Sequence, residues 1–509
     1  MEDDETGSES TASQAVHQPG RGHKPPSGLW SGGGLLELER ARDAQNNATT
    51  RLPDGEAITF RSMTVVEMYA GQAVEQLVAG LEGLDWVNTD EPVVDRIRDA
   101  QKGYVYSAGV FWIVPPTSSG GPPLSHARAQ LPAGVSRIYS EYDVLGPSLV
   151  ALVLTFVLAA AEATSIDVAI RADAESRLDR VGRSSVSIRT VRDVKKERVR
   201  AAREEVRKRC QDWITVTFPG TLSAVEEGLG PPTCALISLK QGRPFGTHAE
   251  YLTLVDLVND LYADRLVSPD CLYLAYPVDI SPSNRMTGAF NEGDARSQQW
   301  LDDVEEAPER FHEAISSLVI ADGIYAVLCS YEPKLRDVRT SLNRLDFEKV
   351  TGPEVITLRS RLFGISRDVA TVSREVSVVV SDHGGIWTDL RPTVPIRPSG
   401  SPSATADASA EAKRRRLRAE VASLQSEDAN LRELILVTAS STSEVMGLDL
   451  QNKVLNLTNK LNGLTTWLII LTVVLVILGV ATIVVQFIHN PVVHVQFPTV
   501  RRPSLTTTP

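Results

Sequence analysis

Cysteine is scarce in this sequence of 509 residues. Cys210, Cys234, Cys271 and Cys329 stand far apart, with no Cys-x-x-Cys or Cys/His ligand spacing. A zinc ribbon and a disulfide scaffold are excluded, and a reducing compartment fits best. Catalytic signatures are missing too. There is no G-x-x-x-x-G-K-[ST], no G-x-S-x-G, no His-Glu-x-x-His and no G-x-G-x-x-G after a strand, so no enzyme is expected. Positive charge is in deficit, 52 Lys+Arg against 64 Asp+Glu. That balance cannot supply the field a general nucleic-acid binder needs to neutralise phosphates. The opening MEDDETGSES is acidic with no apolar core behind it, which predicts no secretory signal peptide. No repeat recurs at a fixed period.

What is present is a foldable chain, 42% hydrophobic and long enough for two or three units. The pattern predicts an α+β protein. A disordered acidic arm (1–34) precedes a cytoplasmic mixed α/β domain (35–300). A long helical hairpin (301–381), a Pro/Ser-rich linker (382–409), a coiled-coil stalk (410–463), a transmembrane helix (464–488) and a polar tail (489–509) follow. In the α/β part, periodicity predicts a helix around Met68 to Leu81, and apolar runs predict strands at Tyr104 to Val114, Leu149 to Leu158, Cys234 to Leu239 and Cys271 to Pro277. A charged helix is predicted from about Ile188 to Val216. The run from Gly146 to Ala161 is too short to cross a bilayer and reads as a buried strand turning into a helix. Leu417, Val421, Leu424, Leu431 and Ile435 recur at steps of three and four with Asp428 interrupting, the seam of a short coiled coil.

The strongest single signal lies near the carboxyl end. No residue between Lys460 and His489 carries a formal charge, and Trp467 to Ile488 would span about 33 Å as a helix, enough to cross a hydrocarbon core. With no signal peptide, the large amino-terminal part is expected to stay cytoplasmic. Just before this run, Leu450, Val454, Leu457, Leu461 and Leu464 share one helical face, and Asn452, Asn456, Asn459, Gly463 and Thr466 share the opposite one. An amide stripe of this kind either lines a hydrated axis between several copies or faces solvent and fixes register.

Two charged clusters also stand out. Glu292, Asp294, Asp302, Asp303, Glu305, Glu306 and Glu309 lead into a helix beginning near Pro308. Carboxylates suit a helix N-terminus, and Asp302, Asp303, Glu305 and Glu306 are also oxygen ligands of the type that attracts a hard cation such as Mg²⁺. The helix around Val191 to Trp213 is rich in Lys and Arg with Asp and Glu interleaved. It reads as a solvated, salt-bridged face, or as a basic face meeting the acidic cluster or anionic headgroups. His312, His248 and His383 show no catalytic context.

The order of parts, together with Asn459-Lys460-Leu461-Asn462-Gly463-Leu464-Thr465 and the following Leu471-Thr472, resembles the CorA-type divalent-cation transporters. That resemblance implies a homopentamer with Asn452, Asn456, Asn459 and Thr466 facing a pore. Gln486 to Asn490 stands where the family has its Gly-Met-Asn signature, and no second apolar run follows. The functional expectation is a degenerate CorA-like channel or transporter-related oligomer. The competing one is a non-conducting, membrane-anchored scaffold or sensor that binds a protein partner. Membrane lipid, a homo-oligomer contact through the stalk and a divalent cation such as Mg²⁺ are the implied partners, and nucleic acid is not.

Overall fold

Ile58–Ala70 (β1) is rich in β-branched and aromatic residues, and it fills the middle of the sheet because both of its faces are apolar enough to bury. Ile58, Phe60, Met63, Val65 and Tyr69 join the core on one face. Thr64, Val66 and Met68 are equally buried. The remaining strands are β2 (Asp85–Asn88), β3 (Ser107–Val114), β4 (His126–Arg128), β5 (Val135–Gly146), β6 (Leu149–Leu158), β7 (Arg177–Val181), β8 (Ser185–Arg189), β9 (Thr233–Leu239), β10 (Tyr262–Leu266), β11 (Leu272–Tyr276), β12 (Arg285–Asn291) and β13 (Thr393–Ile396). In this computed structural model eleven of them form one sheet in the order β13-β10-β11-β12-β9-β1-β6-β5-β3-β4-β2, while β7 and β8 pair separately. Among the described strands, only β9 with β12 and β3 with β4 run parallel. The described residues are 32–88, 93–103, 107–118, 125–181, 185–224, 230–244, 250–257, 262–266, 271–276, 285–344, 352–381, 393–396, 408–446, 458, 461 and 467–480.

The chain falls into two compact units, Met1–Asp337 with Gly364–Ala429, and Val338–Phe363 with Asn430–Pro509. The first unit holds the sheet, and residues 301–337 and 364–429 belong to it. One sheet face packs against the helices Ala73–Glu82, Val93–Gly103, Ser165–Arg171 and Val191–Thr217. The last of these starts at a capping box in which Thr190 and Asp193 satisfy each other's backbone N–H groups. The other face carries the helix His312–Cys329 against β1 and β6. At Gly323 the helix lies close to β1: a Cβ there would sit 3.0 Å from the Met68 sulfur and 3.2 Å from Val66 Cγ1. Gly323→Val should therefore cost about 1–3 kcal/mol through overpacking, read as a lower denaturation midpoint at unchanged m-value. An unchanged midpoint would show that the contact yields freely.

The helix Ala408–Met446 is held inside the chain that carries it. Leu417, Val421 and Leu424 are buried. Lys413 Nζ lies 2.5 Å from an Asp322 oxygen, the Arg416 guanidinium stacks 3.6 Å from the Tyr325 ring centre, and the Ser366 hydroxyl donates to Asp428. The residue that interrupts the seam is thus paired within the same chain. In the second unit Leu431 and Ile435 are also buried.

Other sequence expectations are adjusted in detail. Met68 belongs to β1, and the helix expected around it begins only at Ala73, after a turn in which Gly71 takes φ +58°. The run from Gly146 to Ala161 contains β6, whose ten residues are all buried. The 382–409 stretch contains β13, an outer strand with a proline at its third position.

Two apolar helices differ in their surroundings. His312–Asn343 contains a window of mean hydropathy 1.6 and is long and apolar enough to cross a membrane by length and composition, yet 83% of that window is buried within the protein. The shorter Trp467–Val480 is exposed throughout, from 69% at Trp467 to 53% at Val480.

Candidate functional site

Between the sheet and the chain leading into the His312–Cys329 helix lies a polar layer in an otherwise apolar interface. Its first member is Arg61, the extra residue of a β-bulge where β1 slips register against β9 between Phe60 and Ser62. A bulge re-aims the side chain it carries. Arg61 donates from Nη2 to Glu292 Oε1 at 2.7 Å, from Nη1 to Glu305 Oε1 at 2.8 Å and from Nε to the Ser238 hydroxyl at 2.9 Å. The Ser238 hydroxyl in turn donates to the same Glu292 oxygen at 2.7 Å. Arg137, just past a register shift in β5, donates from Nε and Nη2 to Glu309 Oε1 at 2.9 and 2.8 Å and lies over the Trp112 ring. Burial pushes the Glu309 carboxyl up, and Arg137 opposes that.

The centre of the layer is His312, the first residue of its helix and 2% exposed. Its Nε2 lies 2.7 Å from a Glu141 oxygen and its Nδ1 lies 2.8 Å from the Thr155 hydroxyl. Thr155 is 2.8 Å from the Thr64 hydroxyl across the β1–β6 ladder. Tyr139 meets the imidazole edge-on at 4.6 Å between ring centres. Burial pushes the Glu141 carboxyl up. The bond and charge of His312 and the Ser316 hydroxyl outweigh this and hold it below its ordinary value. The Tyr139 phenol is pushed up to about 12, first by burial and then by Glu141, Glu309 and Glu313. Hydroxyl, imidazole and carboxylate in this order are the parts of an acyl-transfer triad. Here, however, Thr155 and Thr64 are 1% and 0% exposed, so neither hydroxyl meets a substrate. The array instead fixes the start of a helix to two strands through fully partnered polar groups.

The four acidic residues singled out as cation ligands do not share one site. Asp303 accepts from the Glu305 N–H at the start of a short 3₁₀ turn. Glu305 pairs with Arg61, Glu306 pairs with Arg310, and Asp302 is exposed. Among the described residues no group of three or more His, Cys, Asp or Glu is placed to hold a metal ion. Besides Arg310, the arginines that meet the acidic cluster among the described residues come from β1, β5 and the segment after β9, with Arg243 on Asp294, and not from the basic helix. Asn452, Asn456, Asn459 and Thr466 lie outside the described residues, as do His248 and His383. Arg61 and Thr155 carried no signal in the sequence, because a bulge and a cross-strand register cannot be read from spacing alone.

No family model, curated protein or solved structure matches this chain.

Proposed function

We propose that this chain is a membrane-anchored scaffold or sensor: a folded α/β and helical body that binds a protein partner, tethered by a single helix that includes Trp467–Val480. The observation that carries the reading is the exposure of that helix on every side, with Leu468, Ile469, Leu471, Leu475, Val476 and Ile477 each more than half exposed. Burying such side chains is worth about 1.5–3 kcal/mol each, and a lipid core supplies that burial along the whole rod. Binding is favoured over catalysis because the triad-like array found among the described residues keeps its hydroxyls and imidazole away from solvent. In a fractionation, the intact chain should sediment with membranes, resist carbonate and be released by detergent. Removal of residues 464–488 should leave a freely soluble, folded body. An intact chain that is soluble without detergent would sink the reading.

The order of parts favours a second reading, a CorA-like cation channel with Asn452, Asn456, Asn459 and Thr466 on its axis. It needs several copies around that axis, yet Leu417, Val421 and Leu424 are already covered within one chain. The mass of the detergent-solubilised protein, followed by Mg²⁺ flux in liposomes, separates the two. A monomer without flux leaves the scaffold, and an oligomer that conducts replaces it.

A further inference from the structure

The chain as a whole carries a net charge of −12, yet the helix Val191–Thr217 has nine Lys and Arg against five Asp and Glu. Most of the excess gathers at one place. Lys196 Nζ and Arg200 Nη2 lie 3.0 and 3.4 Å from Oδ1 of Asp256, and Arg203 Nη2 lies 2.7 Å from its Oδ2. Arg203 also donates to the Thr287 hydroxyl on β12 at 3.2 Å. Beside it, Arg285 lies 3.4 Å from Glu204 Oε2, a carboxylate that already accepts from Arg207. Five cations are therefore gathered by two carboxylates.

Asp256 takes the left-handed backbone region at φ +59°, one that aspartate adopts more readily than most residues. Burial lowers the Arg203 guanidinium from its ordinary value despite Asp256, and Arg200 and Arg285 add to that lowering. Cations crowded in this way repel one another, and the repulsion is relieved by an anion with more acceptor oxygens than a carboxylate has. Arg200 and Arg285 are each 61% exposed, so solvent and solutes reach them. Each guanidinium has five N–H donors in a planar fork that matches phosphate oxygens.

We propose that Lys196, Arg200, Arg203 and Arg285 form a binding site for a phosphate group, taken either from solution or from a lipid headgroup. The site is independent of the membrane-anchor reading, because it is built entirely within the first compact unit.

The test uses the full chain in neutral detergent, titrated with inorganic phosphate against sodium chloride of matched ionic strength, with heat of binding and melting temperature as readouts. A second arm places the chain in nanodiscs of phosphatidylcholine with and without phosphatidic acid. Saturable binding that weakens about tenfold in Arg200→Ala and in Arg285→Ala, but not in Lys208→Ala on the same helix, supports the site. Response to phosphatidic acid alone, lost in the same variants, supports it with the lipid as source. Without phosphate, neither arginine variant should melt below the parent, because each loses a cation that its neighbours repel. Equal effects of chloride and phosphate, or full binding in the Arg200→Ala/Arg285→Ala double variant, would overturn it.

Discussion

Replacing His312 with leucine should destabilise the protein by about 3–5 kcal/mol at neutral pH. Leucine fills the space but leaves the Glu141 carboxylate and the Thr155 hydroxyl without the partners that now lie 2.7 and 2.8 Å away. The penalty should depend on pH, and its sign follows from Glu141. In the parent its carboxyl is held below the ordinary value, so it contributes stability above the unfolded pKa and loses it as pH falls through the folded one. In the variant the same buried carboxyl keeps only the Ser316 hydroxyl and takes up a proton more readily. The gap between the two proteins should thus narrow in acid. Denaturation of the full chain in neutral detergent at a series of pH values reads this directly. His312→Gln should recover part of the loss, since an amide can donate to Glu141 and accept from Thr155. A cost below about 1 kcal/mol, flat with pH, would show that the polar layer contributes nothing net.

The second large effect concerns the opposite side of β1. Glu67 is fully buried and receives the N–H groups of Met68, Leu222 and Ser223 at 3.0, 2.7 and 3.0 Å, pinning the segment that follows the Val191–Thr217 helix. Burial outweighs those bonds and pushes its carboxyl up to about 7. A folded pKa raised above the unfolded one means that the folded state holds a proton the unfolded state has released. This contribution is complete below about pH 4.5, falls through the interval to about pH 7 and is flat above it, for a total of about 3 kcal/mol. Glu67→Gln removes the titration, and its amide nitrogen opposes one of the donors, so the variant should be less stable in acid. The two stability curves should converge as pH rises towards 8. Parallel curves would mean that Glu67 does not titrate in this range.

The fold was legible where one principle dominated. An uninterrupted apolar run gave β6, and charged periodicity gave the Val191–Thr217 helix. Reading β1 as partly helical failed because a strand buried on both faces loses its alternation. From Val65 to Leu81 apolar residues therefore support either period. β13 was hidden by the prolines around it, which an outer strand tolerates and an inner one does not. The Leu417–Ile435 seam was correctly seen as apolar and at helical spacing. Spacing alone cannot distinguish a second copy from another helix of the same chain, and here Asp322, Tyr325 and Ser366 supply partners along the helix. For the candidate site, the composition of the acidic cluster was visible, but Arg61 and Arg137, which meet Glu292, Glu305 and Glu309, lie more than a hundred residues upstream. Only the sheet register brings them together.

The outermost described strands of the large sheet carry a further consequence. β13 holds Pro395, which lacks an N–H, and β2 is only four residues long and slips register against β4 between Trp86 and Asn88. On the proposed membrane anchor, neighbouring copies would meet at high effective concentration, where long regular sheet margins would zip together across molecules. A missing donor on one flank and a short, kinked flank on the other interrupt such templating, so crowded copies are kept from fusing their sheets into a fibre.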